Sequence, residues 1–169
     1  MNAKMRALSN TNLAAPRFEN GWPLVIAGLA ERHSGTNAGI SAQWQRFMPH
    51  IGRVPGQVGR ATYGVVFDSL KHKHSFGYLV GVEVVPNASL PENFGHLEIP
   101  AHRYAVFVHD SHVSAIPRTM GAIFGEWLPQ SGHEHAADGA DFFERYSEAF
   151  DPRTGTGGVE IWLPIEPAA

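Results

Sequence analysis

No cysteine occurs among the 169 residues. Disulfides, thiolate nucleophiles and zinc sites built on cysteine are therefore excluded. Charge is sparse too. Asp, Glu, Lys and Arg make up 17% of the chain, against roughly 25% in ordinary soluble domains. The formal net charge of −3 gives no basic face of the kind nucleic acid requires, so direct DNA binding is not expected. No window approaches the ~18 apolar residues of a membrane helix. Nor does the N-terminal segment Met1 to Asn20 hold the continuous apolar stretch of a signal peptide. A cytoplasmic location without a membrane partner is the default expectation. Several chemical motifs are missing as well. There is no His-Glu-x-x-His and no Gly-x-Ser-x-Gly elbow, and the run Gly155 to Gly158 lacks the Gly-Lys-Ser/Thr ending of a phosphate loop. Neither a metal nor a cofactor is expected.

What is present in quantity is apolar and aromatic: 43% hydrophobic and 11% aromatic residues. That is enough for one globular domain with large buried rings. The chain also repeats itself. Trp44-x-x-Phe47-Met48-Pro49-x-x-Gly52 is answered by Phe124-x-x-Trp127-Leu128-Pro129-x-x-Gly132. Gly81-Val82-Glu83-Val84 is answered by Gly158-Val159-Glu160-Ile161. Two copies do not make a solenoid. They predict a duplicated unit with a pseudo-two-fold seam, and a seam is a natural place for a ligand.

Periodicity orders the elements. A strand is expected over 22–30 and a helix over 40–52. Strands follow over 61–70 and 76–85, joined by Lys71-His72-Lys73-His74. The second half repeats the order: a strand or bent strand pair over 96–109, a helix over 116–128, a polar loop over 129–139, and a strand over 142–150. A glycine-rich turn over 151–158 leads to a last strand over 159–165. The fold class is α+β: two β-α-β-β units, an antiparallel sheet with helices on one side, and a central cleft. A loose N-terminal arm is expected over 1–20. One domain follows over 21–166, with halves at 21–86 and 96–166.

Strand alternation picks out candidate residues. Phe142, Glu144 and Tyr146 share one face, and Phe143 and Arg145 the other. A carboxylate between two rings suits a cation, because ring faces attract positive charge. Glu83 and Glu160 are also acids within apolar strands. A lone acid on a strand is ordinarily just solvated on the wet face of the sheet, and Glu144 stands out by its two aromatic neighbours. Trp44, Phe47, Phe124 and Trp127 have the spacing of core residues. Trp127, at a helix end beside a proline, is the one expected to roof a cavity. Tyr63, Tyr78 and Tyr104 are strand tyrosines. The pairs His72/His74 and His133/His135 fall in expected loops and read as solvated. His109 and His112 flank Asp110 and Ser111, but adjacency in sequence makes no triad.

Taken together, certain segments resemble the GyrI-like effector-binding domain, which also forms the C-terminal part of AraC-type and MerR-type multidrug-sensing regulators. They are Trp44-Gln-Arg-Phe-Met-Pro, Tyr63-Gly-Val, Phe76-Gly-Tyr-Leu-Val-Gly-Val-Glu83-Val, Ile99-Pro-Ala-x-x-Tyr104-Ala-Val-Phe107-x-His109, Trp127-Leu-Pro-x-Ser-Gly132, Phe143-Glu144-x-Tyr146 and Val159-Glu-Ile-Trp-Leu-Pro-Ile165. The resemblance covers residues from about 20 to 166. It implies the two-unit fold and an aromatic pocket for bulky, often cationic compounds, with a glutamate at the position of Glu144. No helix-turn-helix segment is read in the chain.

The resulting expectation is a binding protein rather than an enzyme, for a small hydrophobic and cationic molecule. Its site would hold Glu144, Glu83, Trp127, Phe124, Tyr104, Phe142, Tyr146 and Tyr78. The resemblance implies two alternatives beside it. One is a hydrolase of strained electrophiles, with Glu144 as base or nucleophile and Tyr104 or Tyr146 as proton donor. The other is a protein inhibitor of DNA gyrase.

Overall fold

The computed structural model describes residues 13–35, 38–70, 72 and 74–169. In the first half, β1 (Arg17–Gly21) and β2 (Leu24–Ser34) precede α1 (Ile40–Phe47), which tightens into a 3₁₀ turn at Met48–His50. Then come β3 (Gln57–Phe67) and β4 (Ser75–Val84). The second half opens with β5 (Gly95–Ile99) and β6 (His102–His109). A 3₁₀ turn (Val113–Ala115) leads into α2 (Ile116–Ala122), which widens into a π turn (Ile123–Trp127) and ends as α3 (Leu128–Gln130). β7 (His133–His135), β8 (Phe142–Tyr146) and β9 (Val159–Pro167) complete the chain.

All strands belong to one sheet, in the order β1-β6-β9-β8-β3-β4-β2-β5, with β7 added beside β9. The order is a palindrome. β8-β9-β6 mirrors β3-β4-β2 about the central β3–β8 pair, which is the seam the repeat predicts. The leading strands are exchanged: β1 pairs with β6 of the second half, and β5 with β2 of the first. Trp22 and Pro23 alone join β1 to β2, yet the two strands lie near opposite edges of the sheet. The sheet must therefore curl until its edges approach, a half-barrel rather than a flat layer.

Side chains alternate across this curl. On its inside, Ile26, Tyr63, Leu79, Ile99, Tyr104 and Phe143 form one core. On the other face α1 covers Ala27, Val80 and Val82, with Phe47 fully buried. The α2 segment covers Ala105, Phe107, Ile161 and Leu163 on the same face. Burying a Phe or Leu of this kind contributes about 1.5–3 kcal/mol, so each helix is held mainly by its apolar stripe. As expected, both helices sit on one side of the sheet.

Some expectations shift. Within the arm expected over 1–20, residues from Arg17 onward form β1, because Phe18 packs beside His133 and Trp127 and Arg17 pairs with Glu160. Its polar Ser9 to Asn12 stretch lies outside the described residues. The strand expected over 142–150 stops at Tyr146, and the polar loop over 129–139 contains β7. The helix expected over 40–52 ends its α geometry at Phe47, just before Pro49. Among the described residues no helix is long and apolar enough to cross a membrane.

Candidate functional site

β3, β4 and β8 form a floor at the seam, and α1 and α2 stand on it as walls. Between them is a cavity of about 1040 Å³. Thr62, Val66, Tyr78, Phe142, Glu144 and Tyr146 come from the floor. Ile40, Trp44 and Met48 come from one wall, and Ile116, Pro117 and Met120 from the other. The β8–β9 loop adds Phe150, Pro152 and Gly155. Among the described lining residues Glu144 is the only carboxylate, and there is no Lys or Arg.

Glu144 is 7% exposed. Its Oε1 accepts hydrogen bonds from the hydroxyls of Tyr78 (2.6 Å) and Tyr146 (2.7 Å). The Trp44 indole N–H donates in turn to the Tyr78 hydroxyl at 3.2 Å, and the Trp44 ring meets Tyr146 edge-on at 4.9 Å. Both phenols bind the same oxygen, Oε1. Burial pushes the Glu144 carboxyl above its ordinary range, and the two hydroxyls offset this in part. Burial and the neighbouring carboxylate push Tyr78 and Tyr146 well up. Gly64 makes the triad possible. It stands opposite Glu144 in the β3–β8 ladder, and a Cβ there would collide with the Tyr78 hydroxyl and lie 2.7 Å from Glu144 Oε1.

The structure brings Glu144, Phe142, Tyr146 and Tyr78 together in one cavity and separates the other candidates from it. Glu83 is five residues from Tyr78 on the same strand, an odd spacing that turns it to the opposite face. There it is half-buried near Arg145; burial raises its carboxyl and the arginine counteracts this. Tyr104 also lies on the inside of the curl, packed on Phe143 and Trp162. Burial pushes its hydroxyl up to about 12. Across the sheet from Glu144, it cannot serve that residue as a proton donor. Arg145 shares this inner face, where its guanidinium donates to the Tyr63 hydroxyl at 3.4 Å. Trp127 is spent on packing, edge-on to Phe107 and stacked on His133. Phe124 touches Phe142 from behind, with 6.4 Å between ring centroids, and does not line the cavity.

The repeat explains the exchange of tryptophans. Trp127 is the counterpart of buried Phe47, and Trp44 is the counterpart of Phe124. Trp44, read from sequence as core, is thus the tryptophan at the site. Met120, Phe150 and His112 are further lining residues that sequence reasoning missed, and the latter two reach the cavity only through the path of their loops. Among the described residues no cluster of three or more His, Asp or Glu could hold a metal.

A duplicated, curled α+β sheet with a cavity between two helices at its seam defines a class of ligand-receiving domains. The chain belongs to the GyrI-like small-molecule-binding domain family, whose sequence profile matches residues 15–166. It is 29% identical over 142 residues to the transcriptional regulator BrlR of Pseudomonas aeruginosa. That match takes in 83% of this chain and 51% of BrlR, so the chain spans about half the length of this relative. Among solved structures, SAV2435 bound to tetraphenylphosphonium superposes with a TM-score of 0.71 at 17% identity, covering 90% of this chain and 94% of SAV2435. The EcmrR C-terminal domain superposes with a TM-score of 0.64 at 13% identity, covering 94% of this chain and all of that domain. At these identities the two structures speak for the fold.

Proposed function

We propose that this small-molecule-binding domain takes a hydrophobic organic cation, anchored by Glu144 and packed against Trp44, Phe142, Tyr146 and Phe150. One observation carries the reading: a buried carboxyl faces an aromatic cavity whose described lining holds no Lys or Arg. An unpaired buried carboxylate is costly, and a desolvated cation supplies its partner while the rings add cation–π attraction. A structurally similar protein, SAV2435, was solved with tetraphenylphosphonium, which supports the choice of that ion as probe.

Titration with tetraphenylphosphonium tests the proposal. Glu144→Gln keeps the shape and removes the charge. It is expected to weaken binding by about 1.5–3 kcal/mol, roughly 10- to 150-fold, and to leave neutral aromatic ligands nearly unchanged. Trp44→Phe should abolish most ligand-induced quenching of tryptophan emission, and Trp127→Phe should not. Unchanged cation affinity in Glu144→Gln would show that the carboxylate is not the anchor.

A further inference from the structure

The turn His109-Asp110-Ser111-His112 carries two histidines that cation binding leaves unused. Both rings have their tautomer set by their partners. His109 is buried, and its Nε2 lies 2.9 Å from the carbonyl oxygen of His112. A carbonyl only accepts, so Nε2 carries the proton, and the neutral ring's Nδ1 accepts from the Thr119 hydroxyl at 3.0 Å. His109 thereby ties the turn to α2. His112 caps the 3₁₀ turn Val113–Ala115, and its Nδ1 accepts the backbone N–H of Ser114 at 3.0 Å. A nitrogen that accepts this bond holds no proton, so the neutral ring carries its proton on Nε2.

That Nε2 lies against Gly155, where a Cβ would run into it. The Val113 N–H donates to the Gly155 carbonyl at 3.0 Å, which joins the two loops. His112 and Gly155 both line the cavity. His112 is an exposed residue of the cavity lining, and among the described residues no protein acceptor takes its Nε2 proton. The ring is therefore a donor of set tautomer on a backbone held at both ends. β8 leads from Glu144 through Tyr146 into the loop carrying Phe150 and Gly155, so this donor stands at the loop end of the cavity.

We propose that His112 determines specificity by donating from Nε2 to a neutral oxygen of the ligand. The preferred class is then an aromatic cation that also carries a carbonyl, ester or ether oxygen. This rests on the cavity being the ligand site of the proposed function, and not on the charge at Glu144.

Two matched probe pairs separate the two ideas by calorimetry on the whole chain. The cationic pair is (4-acetylphenyl)triphenylphosphonium and its 4-ethylphenyl analogue. The neutral pair is 4-acetylbiphenyl and 4-ethylbiphenyl. The wild type is expected to favour the acetyl member of each pair roughly three- to tenfold, the effect of one net neutral hydrogen bond. His112→Asn keeps an N-cap acceptor for Ser114 but does not reach the Nε2 position. It should bring the acetyl preference to about one and leave the ethyl probes unchanged. Glu144→Gln should weaken both phosphonium ions and leave the acetyl preference intact. An absent preference in the wild type, or one that survives in His112→Asn, overturns the role of His112. So does an equal loss for acetyl and ethyl probes, which would mark a structural role only. An intact preference with phosphonium binding indifferent to Glu144→Gln overturns the cation reading alone. If none of the four probes binds the wild type, both are overturned.

Discussion

Gly64 and Glu144 face each other across the central ladder, and the missing side chain of one serves the hydrogen bonds of the other. Gly64→Ala would push the Tyr78 hydroxyl off the carboxyl. Overpacking of this kind costs about 1–3 kcal/mol, so urea unfolding should show a loss in that range together with weaker tetraphenylphosphonium binding. A variant with wild-type stability and affinity would show that the triad tolerates the methyl group. The pH behaviour follows from burial, which raises the Glu144 carboxyl in the folded state. Because the folded chain then holds this proton more tightly than the unfolded chain, the contribution to stability is full below the ordinary glutamate range. It is lost as pH rises through the raised folded value. Ligand-free wild type should therefore lose stability relative to Glu144→Gln over that interval, as urea midpoints at a series of pH values would show. Cation binding carries the opposite sign: it needs the carboxylate, so affinity should rise with pH through the same interval.

At the scale of elements, one polar residue adds to the apolar stripe that holds α1. Gln43 is fully buried, and its amide nitrogen donates to the carbonyls of Leu29 (2.9 Å) and Tyr78 (2.7 Å). Its Oε1 accepts from His33 Nε2 at 2.6 Å. The helix is thereby bonded to β2 and β4, and Trp44, the next residue, is set above Tyr78. Gln43→Ala strands buried polar groups at about 1–3 kcal/mol each. A loss of more than about 2 kcal/mol in denaturant is expected, with a shift in Trp44 emission. A small loss with unchanged emission would mean that the apolar stripe alone holds the helix. The second helix uses another device. Its π turn Ile123–Trp127 ends just before Pro129, whose ring excludes an ordinary i−4 carbonyl.

For the whole molecule, the exchanged strands β1 and β5 splice the halves together, and the cavity lies across their seam. A ligand there should stabilise both halves at once. At a hundred times its dissociation constant, tetraphenylphosphonium should add about 2.7 kcal/mol, read as a rise in thermal midpoint that Glu144→Gln largely removes. Hydrogen exchange should slow together in β2 and β9, one strand from each half. Protection confined to one half would mean that the splice does not couple them.

The amino-acid sequence by itself determined the duplication, the α+β class and the in-strand phase of Phe142, Glu144 and Tyr146. These depend on spacing and on the period of two, which are local properties. The odd spacing from Tyr78 to Glu83 was legible in the same way and already sets Glu83 apart from Tyr78. Which face of β6 carries Tyr104 relative to Glu144 was not legible, because parity orders residues within a strand and only register relates one strand to another. Nor could sequence choose between Trp44 and Trp127: both have core spacing, and the choice depends on which helix face meets the seam. The curl of the sheet, the strand exchange and the loop that brings Gly155 against His112 are long-range pairings. Tertiary structure alone decided them, because each joins residues whose contact no local pattern records.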